Sequence, residues 1–294
     1  AGGHHLLLFG EPGAGKSYLA QSILSILPDL SHEEILELSQ IYSLLAPLKA
    51  GLISQRPFRQ PHHSVSKAAF LGGLDFPGEI SLAHLGILFL DEFTELRRDL
   101  IEALRQPLEN QFFKINRAKQ ELIYPANFTL IAAANPCPCG FYASDKPCRC
   151  STYDLIRYQK KLSGPILDRI DLSIRLKASS QRELFFASDS AQTSQRIKEQ
   201  VQLAKLKQVQ RFKNSPFKSN ANLTSEGVKQ FCQLSKAAKK TLDLARTQLG
   251  LSVRAYFKTI KIAQTITDFQ DEKMISTQAI AEALSFRQTP INPR

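Results

Sequence analysis

A glycine-rich loop with one lysine and one serine, GEPGAGKS at residues 10–17, follows an apolar run and opens a predicted helix. Glycines let backbone N–H groups close around phosphate oxygens, the lysine neutralises the β- and γ-phosphates, and the serine hydroxyl ligates Mg²⁺. The loop therefore predicts a nucleotide site that needs Mg²⁺. The predicted binding residues are Gly10, Glu11, Pro12, Gly13, Ala14, Gly15, Lys16 and Ser17.

Polar side chains end two further apolar runs, GILFLDE at residues 86–92 and FTLIAAAN. Neighbouring side chains at a strand end point in different directions, so we expect Asp91 to hold Mg²⁺ and Glu92 to orient or deprotonate a water molecule. Asn135 closes the second run and is placed to position that water against the γ-phosphate. Together these residues predict hydrolysis of the nucleotide in addition to its binding.

Four of the five cysteines lie in CPCGFYASDKPCRC, which begins two residues after Asn135. Four thiolates suit tetrahedral zinc, although two Cys-x-Cys pairs are tighter than the usual zinc knuckle. Three interpretations remain open: structural zinc, unligated or redox-labile thiols, and a disulfide. The residues concerned are Cys137, Cys139, Cys148 and Cys150.

The 294 residues are 43% hydrophobic and 22% charged, which fits a globular chain of about two domains. The apolar runs are much shorter than the roughly 18 residues that suggest a membrane span, so we expect a cytoplasmic protein with no membrane partner. The start, AGGHHLLLFG, has no Met, basic region or cleavage site. We therefore expect a fragment that lacks its N-terminal part.

Basic charge is concentrated in the C-terminal part of the chain. Residues 1–176 hold 18 Lys and Arg against 18 Asp and Glu, whereas residues 177–294 hold 20 against 9, the whole net charge of +11. Such asymmetry is expected of a protein that binds a polyanion, because neutralised phosphates release their counterions. A solvated basic helical surface is the alternative.

The apolar pattern divides the chain into three regions. Strand-like runs alternate with helical stretches over residues 1–176, which predicts an α/β core with a parallel sheet. Residues 177–222 are expected to form a linker with one long helix near residues 188–212. Residues 223–294 read as four helices of a small lid domain, with Thr224 and Ser276 as N-caps and Gly250 as a helix stop.

Two segments carry basic residues that could follow DNA phosphates. The first, residues 111–128, alternates and turns near Ala118 and Lys119, which predicts a β-hairpin; a solvated hairpin is the alternative. The second lies in RPFRQPHHSVSK, where His62 and His63 could suggest a metal pair but have no acidic or cysteine neighbour in the sequence. The DNA-binding candidates are Lys114, Arg117, Lys119, Arg56, Arg59 and Lys67.

The order of these motifs resembles the AAA+ ATPases, a class with a three-layer P-loop core and a helical lid. The resemblance implies that Asn135 is sensor 1. It also implies that Arg169, in GPILDRIDL, is an arginine finger reaching the neighbouring subunit's γ-phosphate, and that Arg254, in LSVRAYFKTIKIAQTI, is the phosphate-contacting sensor 2. The predicted catalytic residues are thus Glu92, Asn135, Arg169 and Arg254.

Within that class the chain resembles the ComM/YifB family of magnesium-chelatase-like ATPases, on RPFRQPHHS, PGEISLAHLGILFLDE, IEALRQPLEN, NPCPCG, CRC, LSGPILDRIDL and LSVRAY. The resemblance implies a homo-hexameric, ATP-driven helicase that acts on single-stranded and branched DNA and promotes branch migration during homologous recombination in natural transformation. It also implies a missing Lon-like N-terminal domain. The alternatives are a chelatase-type motor for metal insertion or protein remodelling, which the cysteine insertion disfavours, and a non-enzymatic nucleotide-switched scaffold, which the intact catalytic residues disfavour.

Overall fold

The computed structural model describes residues 1–45, 51–117, 120–162, 166–177 and 190–287. Five parallel strands form one sheet in the spatial order β2-β3-β6-β1-β7. Their bounds are β1 Leu6–Gly10, β2 Phe58–Arg59, β3 Ile87–Leu90, β6 Thr129–Ala134 and β7 Leu172–Leu176. An antiparallel hairpin of β4 (Phe112–Arg117) and β5 (Gln120–Pro125) stands apart from this sheet.

Alternating side chains bury both faces of the sheet. Leu7, Leu88 and Leu130 belong to one apolar cluster, and their neighbours Leu8 and Phe89 belong to the cluster on the opposite face. A parallel sheet covered on both faces forms three layers with its helices, because neither face is left to water. The predicted P-loop α/β core is confirmed.

Seven helices surround the sheet and hairpin in the described part of the core. Residues 98–110 form two short helices separated at Leu104, and Pro107 lies in the first turn of the second, where a proline's missing N–H costs no helical hydrogen bond. The helices are α1 Lys16–Ser25, α2 His32–Ser43, α3 Lys67–Leu71, α4 Glu79–Leu82, α5 Arg98–Ala103, α6 Arg105–Asn110 and α7 Thr152–Leu162.

A helical domain follows the core and has its own apolar cluster, which includes Phe212, Leu242 and Ile280. Thr224 and Ser276 accept backbone N–H groups as N-caps, and Gly250 ends a helix in the left-handed conformation, as predicted. The helices are α8 Ser190–Arg211, α9 Ser225–Phe231, α10 Lys236–Leu249, α11 Val253–Gln270 and α12 Thr277–Ser285.

Strands β2 and β7 were not predicted. β7 pairs with β1 from Leu6–Leu172 to Gly10–Leu176, so it lies beside the strand that leads into the glycine-rich loop. The predicted hairpin is confirmed over its two strands, whereas its turn at residues 118–119 lies outside the described residues. Among the described helices, none combines the length and apolarity required to cross a membrane.

Candidate active site

The P-loop lysine lies where three parallel strands end at the same edge of the sheet. Lys16 Nζ donates to Asn135 Oδ1 at 3.0 Å and to the carbonyl oxygens of Gly10 and Glu11, both at 2.9 Å. Gly13 and Gly15 both have φ of 79°, a left-handed conformation that glycine adopts without strain. The loop therefore holds the ammonium group beside Asn135, as a phosphate site requires.

Ser17 and Asp91 form the oxygen pair expected of a magnesium site. Ser17 Oγ donates to Asp91 Oδ2 at 2.8 Å, across 74 residues of sequence. Mg²⁺ prefers hard oxygen ligands and keeps several waters, so a hydroxyl and a carboxylate side by side match its usual protein contribution. Burial lowers the pKa of Lys16, and the nearby Asp91 charge acts in the opposite direction.

Glu92 leaves the strand with left-handed backbone, φ 48° and ψ 43°. Its N–H donates to Asp91 Oδ1 at 2.9 Å, and its Oε2 lies 3.1 Å from Nδ1 of His63. The rings of His62 and His63 have centroids 4.1 Å apart and are tilted by 36° to each other. His63 therefore has an acidic partner in the folded chain, although none is near it in the sequence. That partner is Glu92, the predicted catalytic carboxylate.

A cavity of about 430 Å³ opens beside Lys16, Glu92 and Asn135. Its other wall is helix α7, whose Tyr158 shares a buried hydrogen bond of 2.8 Å with Thr94. The same helix also contributes charged residues to the lining of the cavity: Asp154, Arg157 and Lys161. Arg157 was not among the predicted site residues, and it lines the cavity next to the buried Tyr158.

The four predicted cysteines converge, with sulfur atoms all within 4.8 Å of one another. Three of the separations are 3.4, 3.6 and 3.8 Å, and the sulfurs are not bonded as disulfides. Sulfurs at the corners of a zinc tetrahedron are about 3.8 Å apart, given Zn–S bonds of about 2.3 Å. Burial opposes ionisation of Cys139, yet N–H groups of Phe141 and Arg149 lower its pKa to about 6. The donor set thus fits a zinc ion.

The cysteine loop is packed directly against the P-loop. Gly140 has φ of +86°, and a Cβ placed on it would lie 2.5 Å from Cδ of Pro12. On its other side the loop is held by Arg175 of β7, which donates to the carbonyl oxygens of Tyr142 and Ala143. A change in the cysteine loop would therefore be transmitted to the nucleotide-binding backbone.

The two predicted phosphate-contacting arginines meet at one carboxylate away from the P-loop cavity. Arg169 Nη2 lies 2.6 Å and Arg254 Nη2 lies 2.9 Å from the same oxygen, Glu109 Oε1. Burial opposes ionisation of Glu109, but these hydrogen bonds lower its pKa. Neither arginine is among the described residues that line the cavity beside Lys16. The two arginines thus lie together, and neither of them lies at the nucleotide site of its own chain.

Comparison with known proteins identifies the family. The model described as magnesium chelatase, subunit ChlI, matches residues 1–184, and that of the ChlI C-terminal region matches residues 191–287. The chain belongs to the magnesium-chelatase ChlI family. This is a family of AAA+ ATPases, in agreement with the P-loop core and the helical domain.

Several relatives in this family are similar along almost the whole chain. YifB of Escherichia coli and the competence protein ComM of Haemophilus influenzae are each 42% identical over 290 residues, which is 98% of this chain and 56% of each relative. The magnesium-chelatase 38 kDa subunit of Rhodobacter capsulatus is 25% identical over 149 residues, or 45% of this chain and 43% of that subunit. The chain spans little more than half the length of its ComM and YifB relatives.

Two of the basic residues predicted to contact DNA form hydrogen bonds with other residues of this ChlI-family chain. Arg56 donates to the carbonyl oxygens of Pro28 and Leu85, and its side chain is only 16% exposed. Arg59 forms a bidentate ion pair with Glu79, in which Nε donates to Oε2 at 2.7 Å and Nη2 donates to Oε1 at 2.6 Å. Both guanidinium groups have partners within the chain, and the assignment of these two arginines as DNA contacts stays a prediction.

The remaining DNA candidates lie on exposed surface or outside what is described. Lys67 is exposed at the start of α3. Lys114 is exposed on β4 and pairs with Glu121 across the hairpin at 2.5 Å. Arg117 ends β4, but its side chain is outside the described part, as is the whole of Lys119.

Proposed function

We propose that the chain hydrolyses ATP and that a homo-hexameric ring of it acts as a DNA motor promoting branch migration during homologous recombination in natural transformation. The observation that carries the ATPase part is the hydrogen-bonded group of Lys16, Ser17, Asp91 and Asn135 at one edge of the sheet. Lysine, a magnesium-type oxygen pair and a polar sensor are the parts that phosphoryl transfer needs, and here they already lie in contact.

Each residue of the group has a defined task. Lys16 would exchange the carbonyl oxygens of Gly10 and Glu11 for β- and γ-phosphate oxygens. Ser17 and Asp91 would hold Mg²⁺, which supplies charge neutralisation at the phosphates. The side-chain carbonyl oxygen of Asn135 accepts a hydrogen bond from Lys16, so the amide N–H groups of Asn135 remain to orient a phosphate oxygen or water.

Glu92 is the general base in this proposal. It borders the cavity beside Lys16 and Asn135, where a water could attack in line. A Glu92→Gln variant should lose at least about 100-fold in ATP turnover, because the amide cannot take the proton, while ADP affinity is retained. Glu95→Gln is the matched control, since Glu95 lines the same cavity but pairs with Lys161. Full turnover by Glu92→Gln would contradict the assignment.

The ring is proposed because the arginine pair does not line its own chain's cavity. An arginine supplied by a neighbour would stabilise the charge that develops on the transferred phosphoryl group. Mixing two inactive variants, Lys16→Ala and Arg169→Ala, tests this arrangement. Some subunit contacts in the mixture would bring an intact Arg169 to an intact P-loop, so ATPase activity should reappear. No recovery would exclude an arginine that is supplied by the neighbouring subunit.

DNA is proposed as the track because the net charge of +11 is concentrated after residue 176 and because the hairpin segment carries the basic residues Lys114, Arg117 and Lys119. The similarity to a protein named competence protein ComM agrees with this choice. The assay measures ATP hydrolysis and strand exchange on three-stranded and four-stranded DNA junctions. ATP-dependent junction migration supports the proposal, whereas ATPase activity that ignores DNA, without migration, would overturn its DNA part.

The second candidate is a chelatase-type motor that drives metal insertion or remodels a protein partner. It is favoured by the 25% identity to the 38 kDa magnesium-chelatase subunit, over less than half of the chain. The same DNA assay separates the two functions. A chelatase-type motor would hydrolyse ATP at a rate that branched DNA leaves unchanged.

We also propose that Cys137, Cys139, Cys148 and Cys150 hold one structural zinc ion, on the strength of their sulfur separations. Elemental analysis of protein purified without chelator should give about one equivalent per chain, and less than half an equivalent would refute the site. Cys148→Ser should lose the metal. Cys232→Ser is the matched control, because Cys232 is buried in the helical domain and should leave the zinc content unchanged.

A further inference from the structure

The carboxylate of Glu109 brings together two arginines from distant parts of the chain. Arg169 is 60 residues away in sequence and Arg254 is 145 residues away, yet both place Nη2 within 2.9 Å of Glu109 Oε1. Two guanidinium groups this close repel each other unless an anion lies between them. Glu109 supplies that anion within the chain.

The two arginine-bearing segments are also tied directly to each other. Lys258, one turn after Arg254 in α11, donates to the carbonyl oxygen of Ile170 at 2.7 Å and pairs with Asp171 at 3.2 Å. The Asp171 side chain is 11% exposed and also accepts the backbone N–H of His5 at 3.2 Å. Arg169 and Arg254 therefore belong to one firmly connected unit.

Glu109 connects that unit to the base of the hairpin. It is in the last turn of α6, and Gln111 then reverses the chain with φ of 63° so that β4 starts at Phe112. The carbonyl oxygen of Gln111 accepts the N–H of Ala126 at 2.7 Å, which closes the open end of the hairpin. A displacement of Glu109 would thus move both hairpin strands at their base.

A terminal phosphate competes with a carboxylate for the same donors. It carries more charge and more acceptor oxygens, so two guanidinium groups bind it more strongly than they bind one carboxylate oxygen. In the proposed ring, the nucleotide of the adjacent subunit offers such a phosphate. ATP binding there would then separate the arginines from Glu109, and hydrolysis and phosphate release would return them.

We propose that Glu109 is a positioning residue that holds Arg169 and Arg254 ready for the neighbour's phosphate, and that its exchange for that phosphate moves the β4–β5 hairpin. The inference rests on the proposed ring ATPase and adds a route from hydrolysis to the surface that would contact DNA. The hairpin would then move in response to the nucleotide that the next subunit binds. Glu109 itself touches neither nucleotide nor DNA.

The test compares Glu109→Gln with Glu102→Gln in the full chain. The control is close, because Glu102 is also exposed on a short helix and also pairs with one arginine, Arg105, at 2.7 Å. Hydrogen exchange of the hairpin amides is measured without nucleotide and with a non-hydrolysable ATP analogue. ATP turnover and its KM are measured alongside.

The wild type and Glu102→Gln should show hairpin exchange that becomes at least about threefold faster when the analogue is added. Glu109→Gln should show the faster exchange already without nucleotide, with no further response, and its maximal turnover should fall about tenfold at a KM within twofold of wild type. A hairpin that responds equally in wild type and Glu109→Gln overturns the inference and leaves the ATPase proposal standing. A wild type that does not hydrolyse ATP overturns both.

Discussion

The contact between the cysteine loop and the P-loop allows one substitution to test how they are coupled. Gly140 has φ of +86°, and an added Cβ would lie 2.5 Å from Cδ and 2.7 Å from Cγ of Pro12. Gly140→Ala therefore adds a methyl group where a rigid ring already lies. The ring cannot rotate away, so either the cysteine loop or the P-loop must shift.

The expected magnitude has two parts. The left-handed backbone costs an alanine about 1 kcal/mol relative to glycine, and forcing a methyl group into a filled position costs typically about 1–3 kcal/mol. The second cost is relieved by moving Pro12, which lies in the nucleotide-binding loop. If about half of that cost, or about 1 kcal/mol, opposes ADP binding, ADP affinity falls about fivefold.

Gly250→Ala is the control for the backbone cost alone. Gly250 has φ of +61° at the end of α10 and no atom within 4 Å of an added Cβ. Titration calorimetry with ADP and thermal unfolding measure the two effects. Both variants should lose about 1 kcal/mol of stability or more, but only Gly140→Ala should bind ADP more weakly. Unchanged ADP affinity in folded Gly140→Ala, or equal weakening in both variants, would refute the reasoning.

Three further outcomes follow from the described contacts. His63→Ala should lower maximal ATP turnover about tenfold at constant KM in steady-state assays, because the Glu92 carboxylate loses the partner 3.1 Å away that fixes it; unchanged turnover would deny His63 this role. Burial raises the pKa of Cys232 to about 12, so mass spectrometry should find it unalkylated at pH 8 in the folded chain and alkylated in guanidinium, and labelling of the folded chain would contradict its burial. Burial lowers the pKa of His5 from 6.5 to about 4 in the folded chain. Below pH 6.5 the unfolded chain therefore binds a proton that the folded chain does not, so the free energy of unfolding should fall by up to about 3 kcal/mol between pH 6.5 and pH 4. Thermal melts should show that loss in wild type and a smaller one in His5→Gln, and identical pH slopes would count against it.

Much of the nucleotide site could be predicted from sequence because its chemistry is written in short contiguous segments. The P-loop motif contains both its ligands and its turn glycines, and an apolar strand that ends in Asp91 and Glu92 places them by alternation. The ends of parallel strands meet at one edge, which also brought Asn135 into place. The long helices and their caps were predictable for the same local reason.

The residues that sequence analysis missed act through long-range contacts. His63 meets Glu92 across a loop and a helix pair, and Glu109 meets Arg254 over 145 residues. Neither periodicity nor spacing carries information about such pairs. The intrachain partners of the basic residues in the insert are equally absent from the sequence pattern, since Arg56 donates to the backbone carbonyl oxygens of Pro28 and Leu85.

The separation of the arginine pair from the cavity beside Lys16 also affects how activity depends on assembly. A site that needs both must form where unlike surfaces of two chains meet head to tail. An open row of such chains always ends with one cavity that has no arginines and one arginine pair that has no cavity. In the proposed homo-hexamer, closing the row into a ring would add a whole catalytic centre without adding a subunit, so turnover per chain should increase at the concentration where rings close.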